Sequence, residues 1–292
     1  MKAPAWVLII AIGAGAAGGC GLQMAGDGGR FVNLTAGAGY DRGLVVCLSG
    51  AGAICGEVDR IRAGLAGGGV ACAIESFEWS SGSVLADQVG MAANKAKAAG
   101  LARRIEKYQD DYPGCPVHLI GVSAGTGLVV WALEDLGPGR RVENVVLLAS
   151  SLSSGYCLAG ALARVGGRVY NHHSAADLVL GVLVAATGTV DRAGGDSGGL
   201  HGFRPPEDDG GERLALYRDR LAEVGWRPSD AACGHGGDHL GGTNPAYVRE
   251  RIASLAWARP PGEQPPAREA AATAVAAAGG LEGLFDMNNH QE

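Results

Sequence analysis

The stretch PVHLIGVSAGTGLVVWALEDL, Pro116 to Leu136, decides how the rest of the chain is read. Pro113 and Pro116 bound a turn into VHLI, a short apolar run of the kind a buried strand provides. That run enters Gly121-Val122-Ser123-Ala124-Gly125 directly, and LVVWALEDL then has helical spacing up to the stop at Gly137-Pro138-Gly139. Strand, sharp turn and helix in immediate succession make an elbow. Small neighbours let the Ser123 Oγ stand clear of the backbone, and the N-terminal amides of the following helix favour a developing anion.

Working outward, the same alternation continues on both sides. Upstream, GLVVCLSGAG (Gly43 to Gly52) is apolar and stopped by glycines, as a buried parallel strand is, and a helix is expected over EVDRIRAGLA. VACAIESFEW (Val70 to Trp79) reads as the next strand, and the segment from about Val84 to Tyr108 as one long surface helix rich in Ala, Lys and Arg. Downstream, VENVVLLAS (Val142 to Ser150) and RVYNHH (Arg168 to His173) supply two more strands. Strands alternating with helices predict an α/β fold, a mostly parallel, doubly wound sheet with helices on both faces. Past Asp191 the pattern weakens into a Gly-, Pro- and charge-rich loop, followed by an expected helix over ERLALYRDRLAEVG; no final strand before His239 is evident.

G-x-S-x-G occurs a second time, as Gly195-Asp196-Ser197-Gly198-Gly199. With 50 glycines in 292 residues the string alone discriminates poorly, so context must decide. Ser197 has neither a strand before it nor a helix after it and reads as part of a flexible loop. Its GDSGG also imitates the nucleophile segment of chymotrypsin-like proteases, but βαβα order and the lack of a TAAHC-type histidine segment separate this chain from that two-barrel architecture.

With its preceding strand and following helix, GVSAG resembles the nucleophile elbow of the α/β-hydrolase superfamily, over about Gly43 to Trp257. The resemblance implies the chain order nucleophile, acid, histidine. Asp177, in HHSAADLVL just past the RVYNHH strand, stands where that order places the acid; its alternative role is to cap the helix over LVLGVLVA, and Asp191 is the reserve acid. CGHGGDHL (Cys233 to Leu240) offers two histidines, His239 preferred for its D-H-L setting beside an expected final helix over NPAYVRERIASLAW, and His235 as the alternative. A metal reading of His235, Asp238 and His239 is the weaker option, because the strongest helical ligand spacings are absent. The implied oxyanion hole takes the Ala124 amide and a second amide from the LSGAGA turn, Ala51 or Gly52. Such a site transfers acyl groups from a small-molecule or lipid ester without a cofactor. The rival class is a tethered binding or scaffold protein that kept the fold and lost the chemistry.

Composition sets the outer limits. A net charge of −6 with no runs of Lys or Arg excludes the basic footprint needed to neutralise a phosphate backbone, so nucleic acid is not an expected partner. MKAPAWVLIIAIGAGAAGGC has one basic residue, then an apolar stretch from Ala3 to about Gly19, and reads as an export signal. Its AGGC end resembles the lipobox of bacterial lipoproteins, with Ala17 where Leu is usual, which implies lipidation of Cys20 and a membrane-anchored protein of the cell envelope; the alternatives are an ordinary cleaved signal or a single signal-anchor, with Cys20 merely nearby. The expected divisions are a signal segment 1–20, a linker 21–40, the hydrolase-like domain 41–258 and a Pro- and Ala-rich tail 259–292. Cys47, Cys55, Cys72, Cys115, Cys157 and Cys233 are even in number, and an exported context permits disulfides whose pairing spacing does not reveal.

Overall fold

The computed structural model describes residues 29–193, 195–206 and 211–253. Seven strands form one sheet: β1 (Arg30–Asn33), β2 (Leu44–Leu48), β3 (Ala73–Glu78), β4 (Val117–Val122), β5 (Asn144–Leu148), β6 (Val169–His173) and β7 (Leu221–Gly225). Their spatial order is β1-β3-β2-β4-β5-β6-β7, parallel throughout except for β1, which runs antiparallel to β3. This is the α/β-hydrolase arrangement.

Period-two alternation puts β2 in two cores at once. Leu44, Val46 and Leu48 face one layer with α3 (Met91–Asp111) and α4 (Gly125–Asp135), through Leu101, Ile105 and Leu128. Val45 and Cys47 face the other, with Ile61 and Leu65 of α1 (Glu57–Gly67) and with Tyr247, Val248 and Ile252. A sheet covered on both faces explains the near-continuous apolar runs of its central strands. The remaining helices are α2 (Val84–Val89), α5 (Ala159–Leu162), α6 (Leu178–Thr187), α7 (Gly198–His201) and α8 (Glu212–Arg220).

Several elements depart from expectation. The segment read as one helix from Val84 breaks at Gly90, where a side chain would press to 2.6 Å from the Ala86 carbonyl oxygen, and α3 continues to Asp111 with Leu101, Ile105 and Tyr108 in the core. The expected helix over ERLALYRDRLAEVG ends at Arg220, and Leu221–Gly225 is the edge strand β7. In the lead read as linker, β1 adds a second edge, held by Phe31 stacked on Phe77 at 4.5 Å between ring centroids. Around NPAYVRERIASLAW the chain makes one turn at Pro245–Tyr247 and then a π-helical run over Val248–Ala253. Ser197 does not sit in a flexible loop. It is fully buried, bridges antiparallel to Ser153, and opens α7, with Gly198 N donating to Leu152 O at 2.8 Å. The signal segment, Cys20 and the Pro- and Ala-rich tail lie outside the described residues.

Candidate active site

Ser123 follows the last residue of β4 with φ of +52°, the left-handed region that a non-glycine residue enters only when its surroundings enforce it. Four bonds do so: Ser123 N donates to Leu148 O at 2.9 Å, and Ser123 O accepts from Thr126 N at 3.1 Å, from Thr126 Oγ1 at 2.5 Å and from Ser151 N at 3.4 Å. The two glycines of GVSAG have steric reasons to be there. A Cβ at Gly121 would meet the Thr126 backbone at 3.0 Å, and one at Gly125 would lie 2.4 Å from Ser49 O. The Gly125 contact shows α4 pressed against the turn that follows β2. That turn passes the serine closely, since a Cβ at Gly50 would sit 3.2 Å from Ser123 Cβ. A Cβ at Gly195 in the second match would meet nothing within 4 Å, and Ser197 has an ordinary extended φ of −101°, so the strained geometry belongs to Ser123 alone of the two serines.

The next strands carry the other groups. Asp177 lies four residues past β6 with both carboxylate oxygens engaged: Oδ1 accepts from Leu180 N at 2.9 Å and caps α6, and Oδ2 accepts from His239 Nδ1 at 2.7 Å. The cap and the histidine partner, alternatives in the sequence, are both present. With Nδ1 carrying the proton shared with Asp177, His239 presents Nε2 as a base. Asp177 and His239 line a small cavity at the carboxyl end of the sheet together with Leu148 and Ala149 at the end of β5, and it is Leu148 whose carbonyl holds the Ser123 amide. Among the described residues no hydrogen bond joins Ser123 to His239; the structure brings Asp177 and His239 into contact and places the serine at the end of the adjoining strand.

His235 is placed differently. Its Nδ1 accepts from Gly237 N at 3.2 Å, its ring stands edge-on to Tyr247 at 4.7 Å, and burial lowers its pKa. It fills the loop and props the segment that presents His239. His172, on β6, donates to or accepts from Tyr247 Oη at 2.9 Å, and burial pushes its pKa down to about 3. The reserve acid Asp191 is occupied elsewhere, binding Ser153 Oγ at 2.8 Å and Ser153 N at 3.0 Å. Among the described residues no group of three His, Cys, Asp or Glu side chains is arranged to hold a metal ion.

Of the two amides offered by the LSGAGA turn, the structure distinguishes sharply. Gly52 N donates to Asp87 Oδ2 at 2.9 Å, so that amide is already engaged, and Ala51 is the candidate that remains. Asp87 went unread in the sequence, where it is one acidic residue of what reads as a long surface helix. Only its approach across 35 residues of chain to the turn reveals it.

Neither a protein-family model nor a curated protein matches the sequence. Solved structures do show likeness. Aspergillus fumigatus lipase B is 12% identical with a TM-score of 0.49, over 80% of this chain and 57% of its own, so the chain spans little more than half of that protein. A lipase-esterase related protein from Clostridium acetobutylicum is 11% identical with a TM-score of 0.45, over 78% of this chain and 99% of its own. LpqC, a poly(3-hydroxybutyrate) depolymerase from Bordetella parapertussis, is 16% identical with a TM-score of 0.43, over 81% and 86% respectively. Likeness at this level assigns no activity.

Proposed function

We propose that the protein is a serine hydrolase that cleaves carboxylic esters by acyl transfer through Ser123, His239 and Asp177. The observation that carries this reading is a serine held at φ +52° between a strand and a helix, with a bonded Asp–His pair at the carboxyl end of the same sheet. In the first step His239 Nε2 takes the Ser123 Oγ proton, Oγ bonds to the ester carbonyl carbon, and the oxyanion rests on the Ala124 and Ala51 amides. Collapse expels the alcohol, which receives that proton from His239. Water then attacks the acyl-serine, gives its own proton to His239 and releases the acid, and the proton returns to Ser123. Asp177 holds the ring in the required tautomer and stabilises the imidazolium that forms in each half-reaction.

An apolar acyl group fits the surroundings best. Leu178 and Val182 on α6, Leu85 and Val89 on α2, and Ile54 just after the Ala51–Ala53 turn are all exposed, Leu178 by 79% and Val182 by 69%. Each of these elements carries a proposed site residue or touches one: α6 starts beside Asp177, and α2 supplies Asp87 to the turn. Because α2 packs against both α6 and the Ala51–Ala53 turn, these exposed side chains are taken as an apolar rim that would receive an apolar ligand. The Ala3–Gly19 segment and Cys20 support export and lipid anchoring, which the mass of the N-terminal peptide tests.

The deciding experiment is labelling by a fluorophosphonate probe, which reacts fast only with an activated serine. Labelling of the wild type and of Ser197→Ala, abolished by Ser123→Ala, is the expected result. Label that persists in Ser123→Ala, or a folded wild type that never labels, rejects the assignment and in the second case favours a binding protein on the hydrolase fold.

A further inference from the structure

Asp87 is a buried carboxylate surrounded by donors from two loops. Oδ2 accepts from Gly52 N at 2.9 Å and from Ser80 Oγ at 2.5 Å, and Oδ1 accepts from Ser81 N at 2.9 Å and from Ser81 Oγ at 2.7 Å. Its own carbonyl accepts from Asn94 Nδ2 at 2.6 Å, which ties α2 to the first turn of α3. The carboxylate is therefore fixed before it reaches the turn after β2, and the Gly52 amide is what it fixes.

The turn needs an external hold. Gly52 has φ of +80° and Ala53 φ of +49°, two successive left-handed residues, the second without glycine's freedom. Few interactions within a three-residue turn can enforce that shape. Those that do come from outside: Asp87 on Gly52 N, Val84 Cγ2 so close that a Cβ at Gly52 would lie 2.7 Å from it, and Trp79 Nε1 donating to Ser49 O at 3.0 Å. All three are contributed by one continuous stretch, Trp79 to Asp87, at the end of β3 and in α2.

The geometry points to Asp87 as a positioning residue of the acyl-transfer site: by holding the Gly52 amide it sets the orientation of the Ala51–Ala53 turn, and with it the Ala51 amide that receives the oxyanion. The inference rests on the acyl-transfer reading of Ser123. Preorganised donors act in the transition state more than in the ground state, so a turn that is free to rotate loses rate rather than substrate affinity.

Asp87→Asn tests this, because the amide replaces one acceptor oxygen by a donor that faces the Ser81 or Gly52 N–H. Ser81→Ala is the control, since it removes a bond from the same carboxylate without touching Gly52. On a short p-nitrophenyl ester, kcat of Asp87→Asn is expected to fall by about 10- to 100-fold, a fraction of the effect of deleting an oxyanion donor outright, with KM nearly unchanged. Ser81→Ala, which leaves the Gly52 N, Ser80 Oγ and Ser81 N bonds to the carboxylate in place, loses much less kcat than Asp87→Asn whatever its Tm. Wild-type kcat in Asp87→Asn overturns the proposal, as does an equal loss in both variants that follows their Tm. Should Asp87→Asn not fold, Asp87→Glu displaces the same charge by one methylene and is read by the same split between kcat and KM. Failure of the acyl-transfer reading itself looks different: the folded wild type then neither labels at Ser123 nor turns over ester.

Discussion

His239 Nδ1 lies 2.7 Å from Asp177 Oδ2, and the same carboxylate caps α6 through its other oxygen, which accepts from Leu180 N at 2.9 Å. The histidine's orientation is thus tied to the start of a helix. A carboxylate fixed by a backbone amide has little freedom to swing, so the imidazole it holds is presented in one direction.

This double engagement separates two substitutions. Asparagine is a good helix N-cap, so Asp177→Asn keeps the bond to Leu180 N and close to wild-type stability, while ester turnover falls by about 10³- to 10⁴-fold because the amide no longer enforces the required histidine tautomer. Asp177→Ala loses the cap as well, at a cost of about 1 kcal/mol. Urea unfolding and kcat on the same two variants check this. Equal stability losses in both would show that the cap contributes nothing.

Stability is expected to fall in mild acid because two buried histidines resist protonation in the folded chain. Burial pushes the pKa of His118 and of His172 down to about 3, whereas in the unfolded chain a histidine titrates near 6.5. Above that value both rings are neutral in both states and the contribution is complete. As pH drops from about 6.5 toward 3, the unfolded chain takes up protons that the folded chain refuses, so stability declines across that window. His118 faces the sheet interior and His172 packs under Tyr247, with His235 and His173 adding to its depression. Replacing His172 by Asn is expected to reduce the slope of urea-derived stability against pH; an unchanged slope would assign the acid sensitivity to other groups.

The apolar rim predicts a dependence on acyl length. Val182→Ser and Leu85→Ser, both at exposed positions on helices flanking the site, each remove contact area from a long acyl chain and none from an acetyl group. At about 0.8 kcal/mol per buried CH₂, kcat/KM for a decanoyl ester should fall by about 5- to 50-fold in the double variant while that for acetyl ester stays level. Equal effects on both esters would mean that the rim acts on folding or on the site as a whole.

What could be read from the sequence was local. Gly121, Ser123 and Gly125 are adjacent in the chain, and the reasons for each, a close Thr126, a left-handed serine and a close Ser49 carbonyl, act within one turn or against the neighbouring strand. The central strands were legible because both their faces are buried. The edges were not: β1 has four residues and β7, Leu221–Gly225, is half-exposed and follows α8 without a break, so its pattern merges with the helix before it. Glycine misled at GDSGG, where Gly198 and Gly199 permit close packing, a Cβ at either clashing with the Phe203 ring or the Ser150 amide, and do not loosen the chain.

By itself the sequence determined the alternating α/β order and the strand-turn-helix elbow at Ser123, because periodicity and turn chemistry act between near neighbours. Only the tertiary structure bonded His239 rather than His235 to Asp177, let Asp177 also cap α6, and engaged the Gly52 amide by pairing it with Asp87. Those choices depend on which backbone and side-chain groups meet after 35 or 62 residues of intervening chain have folded, and hydrogen bonds of about 3 Å leave no periodic trace in a sequence.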